Sequence, residues 1–424
     1  MKLKFELVKN EEENKEMIIK KYKKFIDPET GIIKFFGRAP HFNDEPKFFR
    51  YFAVLSHTIL FSDVENYENT VGGTSPIKEK AIIKTLGESI ERYCLSVYRK
   101  SMLLSIPHNK IKNIMKMKNF VGIQKLSNLN ELKWVKGFSL PTLTPTLIPA
   151  QLVYVPYDYG NEPILRECIT TGAASGTSLS AALYRGICEV VERDAFMLNY
   201  LNKLHCPKIT YRGNNEVIYK MIEEFEKYNI EPYLFDITLD IKIPTVMCIL
   251  IDHSEIGPAV SIGLKTGINY EENIIDAMSE AEQTRPWIRE VWLNSKSNKH
   301  QIKTNEITSL EKRGIFWYSK KMIKYIKFWL NTKKKKEVYS ETRTLDDFSK
   351  LKFVLKKVKR KIFFVDVTTP EIKKEGFFVI KSIIPSLQPL YINENFKCLA
   401  MRRVLKYLNL KNAKKINKIP HPFL

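Results

Sequence analysis

Leu86-Gly87-Glu88-Ser89-Ile90-Glu91-Arg92-Tyr93-Cys94 is answered, 101 positions later, by Ile187-Cys188-Glu189-Val190-Val191-Glu192-Arg193-Asp194-Ala195. Both segments carry Glu-x-x-Glu-Arg inside a helical pattern of apolar residues. Positions i and i+3 share one helix face, so each segment presents a pair of carboxylates side by side. On the first helix the apolar stripe is Ile82, Ile83, Leu86, Ile90, Tyr93 and Cys94. On the second it is Leu183, Ile187, Val190, Val191 and Leu198. The glutamates oppose these stripes, which for one helix alone describes a solvated face. The match reaches further, however. Ala81, Lys84, Glu88, Glu91, Arg92 and Leu95 correspond to Ala182, Arg185, Glu189, Glu192, Arg193 and Phe196. Leu95 and Phe196 put apolar groups on the charged face, which predicts a cleft there.

Each helix follows a small-residue loop, Gly72-Gly73-Thr74-Ser75-Pro76 and Thr170-Thr171-Gly172-Ala173-Ala174-Ser175-Gly176. Ser75 reads as an N-cap with Pro76 in the first turn. A third helix carries a weaker version of the pair, Glu280 and Gln283, with Arg285 nearby. Three helices that each offer an oxygen pair, with arginines beside them, suit Mg²⁺ and phosphate. Mg²⁺ favours carboxylate and phosphate oxygens, and guanidinium forks match phosphate. The glycines would let backbone amides approach an anion. No Walker loop and no kinase-type glycine loop is present.

The surrounding chain supports a globular protein. It has 424 residues with 44% apolar content. The formal charge of +22 arises from 69 Lys+Arg against 47 Asp+Glu, and it is concentrated in Lys333–Lys336, Lys350–Lys361 and Lys411–Lys418. Such runs lack interleaved aromatics, so a nucleic-acid partner is not expected. Six scattered cysteines read as free thiols in a reducing compartment. No signal peptide and no apolar run of spanning length is present. The expectation is a cytoplasmic protein without a membrane partner.

Read along its length, the chain mixes helices and strands. Strands are expected at Ile32–Phe36, Phe48–Phe61, Trp134–Phe138, Thr146–Ala150, Leu152–Pro156, Tyr233–Asp236, Pro244–Asp252, Ile362–Val367 and Phe377–Ile384. Helices are expected at about Ile77–Arg99, Leu179–Tyr200, Val217–Tyr228, Asn273–Asn294 and Met322–Leu330. Residues 1–26 read as an N-terminal arm or helix, 27–410 as one domain, and 411–424 as a basic, proline-containing tail.

Leu86-Gly87-Glu88-x-x-Glu91-Arg92-Tyr93, Thr171-Gly172-Ala173-Ala174-x-Gly176, Glu189-x-x-Glu192-Arg193-Asp194-Ala195 and Glu280-x-x-Gln283-x-Arg285 together resemble the YcaO family in order and spacing. Asp27–Ile32, Asp236-Ile237-Thr238, Asp366–Pro370 and Ile384–Leu390 agree with it too. The resemblance implies a mixed α/β fold of the YcaO type, with acidic helices packed on β-sheets around an ATP cleft. It implies ATP and Mg²⁺ as cofactors. Glu88, Glu91, Glu189 and Glu192 would hold the metal, and Gln283 and Arg285 would contact nucleotide or phosphate with Glu280 in support. Arg92 and Arg193 would lie at the nucleotide or pair with the glutamates. Lys84 and Arg185 occupy a further nucleotide-facing position. The chain departs from the family pattern at Lys84, where serine is usual, at Thr171, where asparagine is usual, and at Leu424, where the family tail ends in proline.

The tail Pro420-His421-Pro422-Phe423 resembles that of azoline-forming cyclodehydratases. These would use ATP to activate backbone amides of a ribosomally made precursor peptide, closing thiazoline or oxazoline rings from Cys, Ser or Thr. The required base would come from His421 or the terminal carboxylate of Leu424. A leader-binding ThiF-like partner protein is implied, and a homodimer is compatible with it. Two alternatives are a YcaO enzyme that installs backbone thioamides and a non-catalytic basic module that binds nucleic acid.

Overall fold

The structure, a computed structural model, describes residues 14–57, 69–107, 115, 129–295, 302–341, 345–408 and 416–424. Helix α1 (Lys15–Lys23) leads to strands β1 (Ile33–Arg38), β2 (Phe49–Leu55) and β3 (Thr70–Ser75), followed by α2 (Lys78–Ser96). Strands β4 (Trp134–Leu140) and β5 (Thr144–Pro149) form a hairpin, and β6 (Ala173–Gly176) runs into α3 (Leu179–Leu201). Next come β7 (Lys208–Tyr211), α4 (Glu216–Lys227), β8 (Ile230–Asp236), β9 (Thr245–Asp252), β10 (Val260–Thr266) and α5 (Tyr270–Asn294). Short helices α6 (Leu310–Trp317) and α7 (Lys327–Leu330) precede β11 (Lys335–Val338). Then follow α8 (Asp347–Val358), β12 (Ile362–Asp366), α9 (Pro370–Lys374), β13 (Phe378–Ile383) and α10 (Met401–Tyr407).

The strands form three sheets: β1-β2-β3, β10-β9-β8-β7-β11 and β5-β4-β12-β13-β6. Alternation along the strands shows how the layers stack, because successive side chains face opposite ways. In the third sheet Phe363, Val365 and Val379 pack toward α2 and the three-stranded sheet. Their neighbours Ile362, Phe364 and Ile380 pack toward α3 and α8. In the second sheet Val246, Cys248 and Leu250 face α4 and α5, while Met247, Ile249 and Ile251 face the C-terminal half of α3. Sheets covered on both faces need apolar residues at every position, which is why β9 is buried along its whole length. Helix α3 therefore belongs to two cores, and α2 is held between two sheets.

Several boundaries differ from the sequence reading for identifiable reasons. Ile77, not Ser75, is the residue before α2, and the Ser75 hydroxyl accepts from the Ile77 amide at 3.2 Å. The strand expected at 48–61 is β2, and residues 58–61 lie outside the described part. Residues 152–156 make no strand. The 322–330 segment is mostly 3₁₀, with α7 at its end. Strands β3 and β6 stand where loops were expected, and strands β7, β10 and β11 were not anticipated. Strand β10 was hidden by Gly263, a poor strand former in isolation. Here its missing side chain lets α5 approach, since a Cβ would lie 2.0 Å from the Ala277 carbonyl.

Among the described residues, no helix is long and apolar enough to cross a membrane. All six cysteines are free, and five are buried. The lysine run at 350–361 lies on and beyond α8, with Lys352, Lys356, Lys357, Lys359 and Lys361 exposed. In the run at 333–336, Lys336 is instead tied to Asp236 at 2.6 Å.

The layering makes a graded prediction. Phe364 is buried between β12 and α3, while its ring neighbour Phe138 is 36% exposed. Phe364→Ala should cost about 3–5 kcal/mol and lower the thermal unfolding midpoint clearly. Phe138→Ala should shift it much less. Equal shifts would contradict this difference in burial along one face.

Candidate active site

Three strand–helix units bring the acidic residues together: β3–α2, β6–α3 and β10–α5. In each, the first residue of the oxygen pair stands ten positions beyond the first helical residue: Glu88 after Lys78, Glu189 after Leu179, Glu280 after Tyr270. Three positions on come Glu91, Glu192 and Gln283. Four positions before the pair lie Lys84, Arg185 and Asp276. Ser178 and Asn269 cap α3 and α5 through their side chains, accepting from the amides of Ala181 and Glu272. The shared offset turns three separate helices into one constellation. The glycines serve this packing more than anion approach. A Cβ on Gly73 would meet Thr85 of α2, and one on Gly176 would meet Ala182 of α3.

Each carboxylate has a defined anchor. Glu189 accepts the Gly172 amide at 3.0 Å and lies 3.5 Å from Arg193. Glu192 accepts the Thr266 amide at 2.6 Å, and Glu280 accepts the Leu264 amide. Arg193 also reaches Glu280 at 3.8 Å, so one guanidinium bridges α3 and α5. Arg92 pairs with Glu88 at 3.4 Å. Lys84 bonds Asp276 at 2.8 Å, and Lys265 stands 3.5 Å from its other oxygen, which joins α2, β10 and α5. Gln283 donates to the Gly72 carbonyl at 3.0 Å. Arg185 donates to the Ser175 carbonyl at 2.9 Å.

The side chains of Glu88, Glu189 and Glu280 keep 32%, 27% and 31% of their surface, as expected at the floor of a recess. Burial and the charges of Glu189 and Glu88 push the Glu91 carboxyl up to about 8. Burial, with Glu280 and Glu189, raises Glu192 to about 8 against the pull of Arg193. Glu88 and Glu280 are raised as well, chiefly by burial. Asp276 moves the other way: burial raises it, but Lys84 and Lys265 outweigh that. Burial and mutual repulsion thus disfavour ionising all of these carboxyls together.

Not every expected residue belongs there. Arg285 is 1% exposed and sits among Asp252 at 2.7 Å, Glu45 at 3.4 Å and Glu282 at 3.7 Å, so its guanidinium pairs with buried acids away from the Glu88, Glu189 and Glu280 carboxylates. His421 is fully buried, with Nε2 2.8 Å from the Tyr391 carbonyl oxygen. Burial and Arg313 push its pKa well below the ordinary value, so it is not poised as a base. Leu95 and Phe196 do not line the cleft, since both are fully buried in core clusters. The tail itself does arrive at the site. The Phe423 ring lies 4.0 Å from the Arg193 guanidinium and packs on Phe196, leaving Leu424 partly exposed next to it. Asp194, the last charged residue of the second motif, points elsewhere. It binds Arg403 of α10 and the Gln388 amide at 2.7 Å.

Sequence reasoning missed Lys265 and Lys381. Lys381 is fully buried on β13 and donates to the Ile169 carbonyl. Burial and Arg166 pull its ammonium down to about 7, although Glu189 and Glu91 favour the charged form. A lone lysine in the apolar run Phe377–Ile384 was the available signal.

The donor set fits Mg²⁺ with phosphate. Among the described residues, no three ligand-type side chains close into a ready-made metal cage. Mg²⁺ does not require one, being held by one or two carboxylates together with phosphate oxygens. Arg193 supplies the complementary feature: its Nε and Nη1 are buried and have no hydrogen-bond partner among the described residues.

Comparisons with known proteins agree. The sequence pattern of the YcaO cyclodehydratases, described as ATP- and Mg²⁺-binding, matches residues 72–388. A heterocyclase in complex with substrate and cofactor superposes with a TM-score of 0.75 at 17% identity, over 96% of this chain and 57% of that one. YcaO from Methanopyrus kandleri, bound with AMPPCP and Mg²⁺, gives 0.64 at 14% identity, over 87% and 89%. The E. coli microcin synthetase McbBCD complex gives 0.63 at 14% identity, over 91% and 96%. Alignments to curated proteins, at 30% identity and below, reach 42% of those proteins' length or less.

Two predictions follow from the charges. A carboxyl raised to about 8 keeps its proton in the folded state while the unfolded chain, at 4.5, has lost it. Stability therefore falls as pH rises through that window. Glu91→Gln should raise the thermal midpoint of the ligand-free protein at pH 8, and the gain should vanish near pH 4.5. A gain that is independent of pH would refute the charge account. Arg285→Gln leaves buried carboxylates unpaired and should cost about 3–5 kcal/mol. The folded fraction should retain wild-type ATP affinity, measured by calorimetry; a selective loss of nucleotide binding would return Arg285 to the site.

Proposed function

The chain belongs to the YcaO family, and from that premise we propose that it is an ATP- and Mg²⁺-dependent cyclodehydratase acting on backbone amides of a peptide. Its products would be thiazoline or oxazoline rings made from Cys, Ser or Thr of a ribosomally made precursor. The observation that carries this reading is the Arg193 junction: one guanidinium contacts Glu189, Glu280 and the Phe423 ring. The acidic helices and the proline-containing tail therefore meet at one side chain.

Bound Mg-ATP supplies a phosphoryl group that makes an amide oxygen a leaving group, and the metal neutralises phosphate charge. Glu88, Glu91, Glu189 and Glu192 would hold the metal. Backbone amides of Gly172 and Thr266 fix Glu189 and Glu192 in place beforehand, so little reorganisation is needed on binding. Arg193 offers the free edge of its guanidinium to phosphate oxygens, while Phe423 covers its face. Lys84, Lys265 and Asp276 brace α2 against β10 and α5. Arg185 lies beside Ser175, on the strand that enters α3. Phe423 is held against Arg193 by the buried Phe196 ring. His421, held by Tyr391, anchors the tail and leaves proton transfer to another group. The expected partner is a separate leader-binding protein of ThiF-like type.

The test is Mg-dependent ATP binding by wild type and by Glu189→Gln. Wild type should bind, and the variant should bind at least about tenfold more weakly, as expected when a charged ligand to the metal is lost. If both bind equally or neither binds, the site assignment fails. Mass spectrometry of a peptide incubated with the enzyme and ATP should then show loss of one water per ring. Exchange of one oxygen for sulfur would instead assign the chain to backbone thioamidation.

A further inference from the structure

The lysine run at 350–361 takes no part in the acidic recess, yet it forms one continuous surface. Helix α8 buries Leu351, Val354 and Val358 against Leu183, Ile187 and Val191 of α3, on the side of α3 opposite the Glu189 and Glu192 pair. Its outward side carries Lys352 and Lys356, one turn apart, and the chain continues into Lys359 and Lys361, all exposed. None of these four has an ion-pair partner among the described residues. The nearby acids are engaged elsewhere. Asp346 caps α8 through the Ser349 amide and hydroxyl, and Asp347 accepts from Ser178. Asp240 accepts from Arg360 at 3.1 Å, Arg403 at 2.8 Å and Lys406 at 3.0 Å. That carboxylate ties the end of α8 to α10, so Met401, Arg402 and Leu405, exposed on α10, extend the same surface.

Two features set this surface apart from an ordinary solvated face. The first is charge held where it is unfavourable. Like charges one helical turn apart repel, and the helix dipole favours cations only in the last turn, where Lys356 lies and Lys352 does not. Lys359 ends α8 in the left-handed region, at φ 46° and ψ 33°. Glycine or asparagine is usual there, and any larger side chain is strained. The second feature is apolar. Met401 and Leu405, one turn apart, stay 42% and 47% exposed beside these cations. Aliphatic anchors bordered by charge are the anatomy of a protein–protein contact. Nucleic acid is a poorer fit, because aliphatic side chains give bases no platform to stack on. A membrane is a poorer fit as well, because the apolar face of α8 is already buried against α3. We propose that the α8–α10 face docks an acidic polypeptide, one whose Asp and Glu side chains surround an apolar residue seated on Met401 and Leu405. Lysine suits that role, since an ammonium pairs with a carboxylate in many orientations. The surface lies across α3 from the recess and is independent of its nucleotide chemistry.

The probe is a labelled random copolymer of Glu and Leu, titrated with the full chain beside poly-Glu, a DNA oligonucleotide of matched charge and phosphatidylserine vesicles. Wild type should bind the copolymer most tightly, with an affinity that falls as salt rises. Lys352→Glu/Lys356→Glu/Lys359→Glu should weaken it about tenfold or more. Reversing the exposed Lys333, Lys334 and Lys335 instead should leave it within about twofold. Leu405→Ser should lower the copolymer affinity toward that of poly-Glu. Lys359→Gly should raise the thermal midpoint while weakening binding, since it removes strain and charge together. Equal weakening by the two triple variants would mean attraction to net charge alone and would overturn the docking surface. So would DNA or vesicles that bind more tightly than the copolymer and lose that binding with the α8 lysines, which would assign the face to nucleic acid or to membrane. The α8 triple variant should keep wild-type Mg-ATP affinity, which verifies its fold. Lysine-dependent copolymer binding by a wild type that binds no Mg-ATP would uphold the surface and overturn the proposed function alone.

Discussion

Carboxylates from three helices meet in one recess, and their mutual repulsion is the constraint that the rest of the structure answers. Two like charges a few ångströms apart in a protein interior cost several kcal/mol. The fold meets that cost locally, in three ways. Backbone amides from Gly172, Leu264 and Thr266 each hold one carboxylate. Arg193 and Arg92 bridge others. Lys84 and Lys265 neutralise Asp276 completely. What is left is centred on Glu91 and Glu192, whose carboxyls are raised to about 8 and which a bound divalent cation would allow to ionise. Because these anchors come from β10, α2, α3 and α5, the recess can exist only when all three strand–helix units are packed.

Much of this was legible in the sequence, and the reason is periodicity. Glu-x-x-Glu-Arg recurs at the same offset in α2 and α3, and the helical stripe determines which way each pair faces. Helix ends were read within a few residues, because the apolar stripes of α2 and α3 run through most of their length. The opposite lesson comes from Leu95 and Phe196. Their place on the charged face suggested a cleft lining, yet each is fully buried in a different core. Helices packed between two layers have no wet side, and a single-face reading cannot express that. Arg285 failed for a related reason. Spacing places it two residues from Gln283, but on a helix that turns it toward Glu282 of its own preceding turn and toward Glu45 and Asp252, which come from a distant loop and strand. Partners more than thirty residues away leave no local trace. Lys381 was hidden likewise, since only the sheet pairing of β13 with β6 brings it beside the Thr171–Gly172 turn.

The tail illustrates how a structural residue can serve a site without doing chemistry in it. Pro420 accepts hydrogen bonds from Tyr200 and Trp317, and the His421 carbonyl accepts from Arg313. The His421 ring packs edge-on against Phe196 and Tyr391. These contacts come from three elements and fix four consecutive residues in a channel beside α3. A histidine so enclosed is costly to protonate, which removes it from proton transfer. The same enclosure sets Phe423 against Arg193 to within a few ångströms.

Arg193 is therefore under three demands at once. Its face is occupied by an aromatic ring, one nitrogen is drawn toward Glu189 and Glu280, and Nε and Nη1 are buried without a hydrogen-bond partner among the described residues. A lysine could meet only one of these, because an ammonium has no face to stack and no rigid fork to divide between partners. A guanidinium can separate a region that attracts cations from one that attracts anions within the width of a single side chain. That separation is what a metal-dependent phosphoryl transfer needs, since the metal and the oxyanion must be held near each other without their protein ligands pairing off. The arginine repeated in both motifs plays different structural parts: on α2 it is a partner of Glu88, and on α3 it bridges Glu189 and Glu280 beneath the Phe423 ring.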